Sequence, residues 1–266
     1  MRSLAHPPDA PTDDQGFTLV EVLIAMAIGL IVSLAAFSVL EFTSNDVTRI
    51  TERSHADQTG RVALEKIMLQ LHSACVAVTI NPVKLGSGES TLKFISENSP
   101  LNTNKEPTSE LSTVRLREII YTAASGSKEG TLTEKSWPSY GTDPNYLFHE
   151  TTETPTEKTL LKGVKQTINE TTKKAVPVFQ YYRYYQTGDT GAKLGQLDPN
   201  PMTLATEEQA EEIAKVTVNF TLAPEGREGS FAKGDRPVVL EDSAIFRLAT
   251  SSEATGNPNL PCTQTT

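Results

Sequence analysis

Between Val22 and Leu40 the chain runs through nineteen consecutive uncharged residues, and one carboxylate, Glu21, stands at the front of that run. From Phe17 to Leu40 the segment is 24 residues long, enough for a helix of about 36 Å at about 1.5 Å per residue, against a hydrocarbon core of about 30 Å. Leu, Ile, Val, Ala, Phe and Met fill Val22 to Leu40 apart from Gly29, Ser33 and Ser38, with no proline. This composition predicts a straight helix able to cross a bilayer.

The order of the flanking segments matters as much as the run itself. A secretory signal has a basic start, an apolar stretch of roughly 7 to 15 residues and then a small-residue cleavage site. Here a polar leader, residues 1–16, comes first and ends in Gly16. A cut after Gly16 leaves the apolar helix on the product, and glycine permits the close backbone approach that a protease needs. Glu21 is costly in lipid, on the order of 2.5–3.5 kcal/mol at a helix centre and less near the interface, so it asks for a partner. The free amine of a neighbouring chain could be that partner, and the pair would set axial register between helices. Taken alone, Glu21 is equally compatible with a boundary charge facing headgroups.

The six residues Gly16-Phe17-Thr18-Leu19-Val20-Glu21, with their apolar continuation, resemble the prepilin cleavage and N-methylation motif of type IV pilins and pseudopilins. The resemblance implies that Gly16 precedes the prepilin peptidase cut, that Phe17 becomes the methylated N-terminus, and that Glu21 is the acidic fifth residue used in assembly. It covers about a tenth of the chain. It further implies other pilin-like subunits, a prepilin peptidase, the inner or cytoplasmic membrane and assembly-platform proteins as partners. A single-pass precursor in the cytoplasmic membrane, with an extracytoplasmic head, would then become part of a cell-surface or periplasmic filament.

Two departures from the family pattern stand out. In the leader Arg2 opposes Asp9, Asp13 and Asp14, and the far flank, from Glu41 to Arg53, is also mixed in sign. The positive-inside rule therefore gives no orientation, and topology rests on the resemblance. The anchor also lacks the proline that kinks many major pilins. Together with the large head, this likens the chain to a minor subunit that initiates or caps assembly in a type IV pilus, a type II secretion pseudopilus or a competence apparatus.

The expected organisation is a leader (1–16), a transmembrane and assembly helix (17–40), its extramembrane continuation (41–75) and a β-rich head with long loops (76–266). No proline interrupts Glu41 to Cys75, and Val47, Ile50, Leu64, Ile67, Leu71, Ala74 and Cys75 recur at helical spacing. Residues Ser54 to Gly60 are polar, with Gly60 read as a bend or as part of the bridge to the head, and Arg61 to Ser73 as the stretch that packs on a sheet. Strands are expected at Ser90–Ser96, Val114–Thr122, Val176–Tyr185, Lys215–Leu222 and Val238–Leu248. The turn Gly188-Asp189-Thr190-Gly191 would join the third of these to Lys193–Leu197 in a hairpin. Ser125–Gly130 reads as a turn, and Asn98–Glu110 and Trp137–Thr159 as loops. Thr206-Glu207-Glu208-Gln209 has the form of a capping box opening a short helix to about Ile213. The fold class expected is α+β, a long N-terminal helix, transmembrane in its first half, packed against an antiparallel sheet.

Chemistry beyond the motif is sparse. The net charge of −9, from 24 basic and 33 acidic residues, argues against nucleic-acid binding by a broad basic surface. His6, His55, His72 and His149 are scattered without metal-ligand spacing, and no nucleophile-elbow, phosphate-loop or dinucleotide fingerprint occurs. No cofactor, metal or catalytic set is expected. Calcium in the loop of Gly188–Gly191 with Asp198 is weighed against ordinary solvated turn acids. The two cysteines, Cys75 and Cys262, suit a disulfide in an extracytoplasmic domain, one that closes a long loop worth about 4 to 5 kcal/mol by chain entropy. The other reading is two unpaired thiols. Tyr181, Tyr182, Tyr184 and Tyr185 form an aromatic wall, read chiefly as cross-strand packing. As a ligand surface it would suit the alternative function, an unprocessed membrane-anchored extracellular binding protein or adhesin.

Overall fold

The computed structural model describes residues 18–75, 81–97, 114–123, 129–140, 146–185, 196–222 and 237–246. The chain divides into two units, Met1–Thr51 and Glu52–Thr266. Helix α1, Leu19–His72, runs from the first into the second.

Within the first unit α1 has no proline and no apolar face of its own. Leu23, Met26, Leu30, Leu34 and Phe37 are all more than half exposed, as are Ile24, Ile28 and Ile31. A helix greasy on every side is one made for a non-aqueous surrounding. Its few hydroxyls turn back on the backbone: Ser33 Oγ donates to Gly29 O at 2.7 Å, Ser38 Oγ to Ala35 O at 2.9 Å and Thr43 Oγ1 to Val39 O at 2.8 Å. Those polar atoms ask nothing of lipid.

In the second unit the remainder of α1 becomes one-sided. Ala56, Gly60, Ala63, Leu64, Ile67, Met68 and Leu71 are buried at spacings of three and four. Packing thus begins at Ala56, earlier than the expected Arg61. Gly60 does not end or break the helix; a Cβ there would lie 2.3 Å from Leu240 Cδ1 and 3.3 Å from Leu222 Cδ2. It is a notch that lets the helix approach the sheet. After His72 the last turn tightens, with Ala74 N–H donating to Leu71 O, and Cys75 N–H then joins Ile95 O at 2.9 Å.

Seven antiparallel strands follow: β1 (Thr91–Glu97), β2 (Val114–Ala123), β3 (Gly130–Pro138), β4 (Thr156–Lys165), β5 (Phe179–Arg183), β6 (Ile213–Leu222) and β7 (Val238–Ile245). A short helix, α2 (Glu207–Glu211), precedes β6. The order is β1-β2-β3-β4-β6-β5, with β7 on the other side of β6. The two ends of that order meet, since Phe179 N–H donates to Glu89 O at 3.1 Å and Tyr181 Oη to Thr91 O at 2.7 Å. The sheet therefore curls, and its concave side holds the main core of Leu92, Phe94, Ile119, Leu132, Val164, Val216, Val218 and Phe220 against α1. Ile95, Val114 and Leu116 alternate to the other side, where Cys75 and Trp137 complete a smaller core.

The architecture is the expected α+β, helix against antiparallel sheet, but several details differ. β3 was absent from the expectation because its inward residues include Glu134 and Ser136, which match no apolar alternation. Trp137–Thr159 is not all loop: β3 carries Trp137, and β4 begins at Thr156. Its first four residues are exposed, which hid it. The strand expected over Val176–Tyr185 is confined to Phe179–Arg183, since Pro177 just before it lacks an N–H for a ladder. Tyr184 and Leu197 do pair, in an isolated antiparallel bridge. The turn between them and the loop at Asn98–Glu110 lie outside the described residues.

Candidate functional site

The start of α1 is built by the motif itself. Thr18 Oγ1 accepts a hydrogen bond from Glu21 N–H at 3.3 Å, and Thr18 O accepts from Val22 N–H at 3.2 Å. Thr18 thus caps the helix, supplying an acceptor to an N–H that the first turn leaves orphaned. Glu21 sits in that first turn, where the helix dipole favours a negative charge. Its side chain is exposed, and no described residue pairs with it. Gly16 and Phe17 lie outside the described residues.

Downstream, α1 contains a stretch long and apolar enough to cross a membrane, none of it buried. From Leu19 to Leu40 it spans 22 residues, about 33 Å. An acid at the head of a fully uncovered rod can donate charge to an assembly and offer apolar contact in every direction.

The family description "Prokaryotic N-terminal methylation motif" matches residues 12–37. This chain carries a prepilin-type N-terminal motif. The matched span takes in Gly16, Phe17 and Glu21. No curated protein and no solved structure matches the chain.

Other residues singled out in the sequence fall into place differently. Cys75 is fully buried beside Ile95, Leu116 and Trp137, and no cysteine among the described residues is free. Cys262 lies outside them. The tyrosine wall is divided: Tyr181 faces the core, Tyr182 lies under Lys215 Nζ at 5.0 Å and bonds Gln180, and Tyr184 is the more exposed. Burial thus withdraws Tyr181 from any surface that the others present. Gly188–Gly191 are not described, and the Asp198 carboxylate accepts from Asn200 N–H at 2.9 Å as a local turn. Among the described residues no three His, Cys, Asp or Glu side chains gather as a metal set.

Sequence reasoning missed a charged cluster between α1 and the sheet. Glu134 on β3 accepts from Lys66 Nζ at 2.6 Å and Gln70 Nε2 at 2.8 Å, and also pairs with Arg117 on β2. Arg117 Nε in turn donates to Ser96 Oγ at 2.8 Å. Burial alone would raise the Glu134 pKa, but the bonds and charges of Lys66, Arg117 and Gln70 outweigh it and hold the carboxyl below its ordinary range. Little in the sequence marked it beforehand, since Arg117 is one of three charges, with Arg115 and Glu118, in an otherwise β-like stretch.

Proposed function

We propose that this chain is a minor structural subunit of a type IV pilin-like filament. It is cleaved after Gly16 by a prepilin peptidase, methylated at Phe17, and incorporated through α1 at the tip or during initiation. Before assembly it is held in the cytoplasmic membrane, its head extracytoplasmic; afterwards α1 packs among those of other pilin-like subunits brought by assembly-platform proteins. Glu21 accepts the amine of a neighbouring Phe17 and sets the register.

The reading rests on one observation, the prepilin-type motif leading directly into an uncovered apolar helix whose first-turn carboxylate lacks a described partner. An all-apolar helix alone would equally suit any anchor; an unpaired acid placed one turn inside it suits assembly. A disulfide between Cys75 and Cys262 belongs to the same proposal, supported by the lack of any free cysteine among the described residues.

Intact-mass measurement and N-terminal sequencing of the protein from membranes test it. The expected chain begins with N-methyl-Phe17, and a bulky residue at Gly16 leaves the precursor uncut. Glu21→Ala should be cleaved normally yet be lost from filaments. A chain that keeps its leader in a host with active prepilin peptidase would overturn the assignment.

A further inference from the structure

Among the described residues the sheet has an open side. β4 pairs with β3 from Thr156 to Val164 but touches β6 only at Val164 and Lys165. Along Thr156–Gly163 no described strand occupies its other edge. Unpaired strand edges template the addition of another strand.

Two adjoining clefts run beside this edge, of about 350 and about 390 Å³. Both are bordered by α1 and by β4, and they share Lys66 and Lys158. The second adds Val62 and Leu160 as apolar floor. The first holds the charged cluster already described, with Gln70 forming part of its wall. Gln70 is 9 % exposed, and its Oε1 is a buried acceptor with no hydrogen-bond partner. An acceptor left unmatched there is a place for an incoming N–H or O–H.

Charge decides what can enter. The charged residues lining the first cleft are Lys66, Arg117 and Lys158 against Glu97 and Glu134, so this wall is positive on a chain whose net charge is −9. Lys158 stands opposite Glu134 in the β3–β4 register. Lys66 and Arg117 already neutralise that carboxylate, and no described residue pairs with Lys158. Lysines on an edge repel neutral or basic strands, and this same device admits an acidic one.

We infer that the β4 edge and its clefts form a docking groove for an extended acidic segment of a partner protein. The segment adds as a strand along Thr156–Gly163 and sets a carboxylate on Lys158. The exposed half of β4 thus has a use that the helix-mediated assembly of α1 does not supply.

The full-length chain in detergent tests this by fluorescence anisotropy with a ten-residue peptide of alternating Glu and Val. Controls are its Lys–Val counterpart and two versions of the acidic peptide, N-methylated at alternate amides in either register. Micromolar binding of the acidic peptide is expected, with the basic one at least about tenfold weaker. One of the two N-methylated peptides should lose binding, because strand addition uses every second amide. Lys158→Glu, with its thermal unfolding measured alongside to show that it is folded, should weaken the acidic peptide about tenfold and improve the basic one. Equal binding of both charges, full binding of both N-methylated peptides, or indifference to Lys158→Glu would each overturn the groove. Cleavage at Gly16 plays no part in this binding, so an uncut leader and a failed peptide are separate results.

Discussion

Glu134 is a residue whose surroundings change its chemistry. Replacing it with Gln leaves Arg117, whose side chain is 9 % exposed, without its countercharge. Removing one member of a buried pair typically costs about 3–5 kcal/mol. The Glu134 carboxyl titrates below the ordinary carboxylate range in the folded chain, so its contribution is complete above that range and fades as pH falls through the lower folded value. Urea denaturation should therefore show a large deficit for Glu134→Gln at pH 7 that narrows at pH 3. Two glycines offer a second contrast. At Gly60 an added methyl meets the side-chain tips of Leu240 and Leu222, which can turn aside, and helix propensity returns about 1 kcal/mol, so Gly60→Ala should be nearly neutral. At Gly130 the methyl would lie 2.3 Å from Thr122 O, which is backbone. Gly130→Ala should cost about 1–3 kcal/mol in the same denaturation experiment.

Among the elements, α1 and β6 were readable because burial is written into their periodicity. Val216, Val218, Phe220 and Leu222 line one side of β6 as expected, while Thr217, Asn219 and Thr221 are also buried, the last two bonded through Asn219 Nδ2 to Glu241 Oε2 at 2.5 Å and Thr221 Oγ1 to Lys165 O at 3.1 Å. The capping box was equally plain: Thr206 Oγ1 accepts from Gln209 N–H at 3.3 Å, and Gln209 Oε1 accepts from Thr206 N–H at 3.2 Å. Thr206→Ala should cost about 1 kcal/mol, read by thermal unfolding. β3 could not be seen in this way. Its inward Glu134 is matched by Lys66, 68 positions earlier, and no local pattern shows a pairing at that distance. Of the candidate site, Glu21 was legible because its motif lies within six consecutive residues; the cap formed by Thr18 was not read, nor was the cleft, since β2, β3, β4 and α1 all contribute to it. For α1 itself, Val32→Arg should raise the cost of insertion by about 2.5–3.5 kcal/mol and release the protein from membranes on alkaline carbonate extraction.

At the scale of the whole molecule, the stability of the head should depend on redox state. Residues 75 and 262 are 187 positions apart, and a bridge closing so long a loop stabilises by about 5 kcal/mol in the chain-entropy picture. Dithiothreitol should shift the urea midpoint sharply downward, and Cys262→Ser should abolish that response.

The inward-bonded hydroxyls of Ser33, Ser38 and Thr43 bear on how such a rod changes surroundings. With those groups already satisfied, transfer from lipid into a bundle of similar rods swaps hydrocarbon for hydrocarbon, nearly without gain or loss. In the assembly proposed above, the acid near the top would set the direction of that exchange, and the rod would make it as an intact helix.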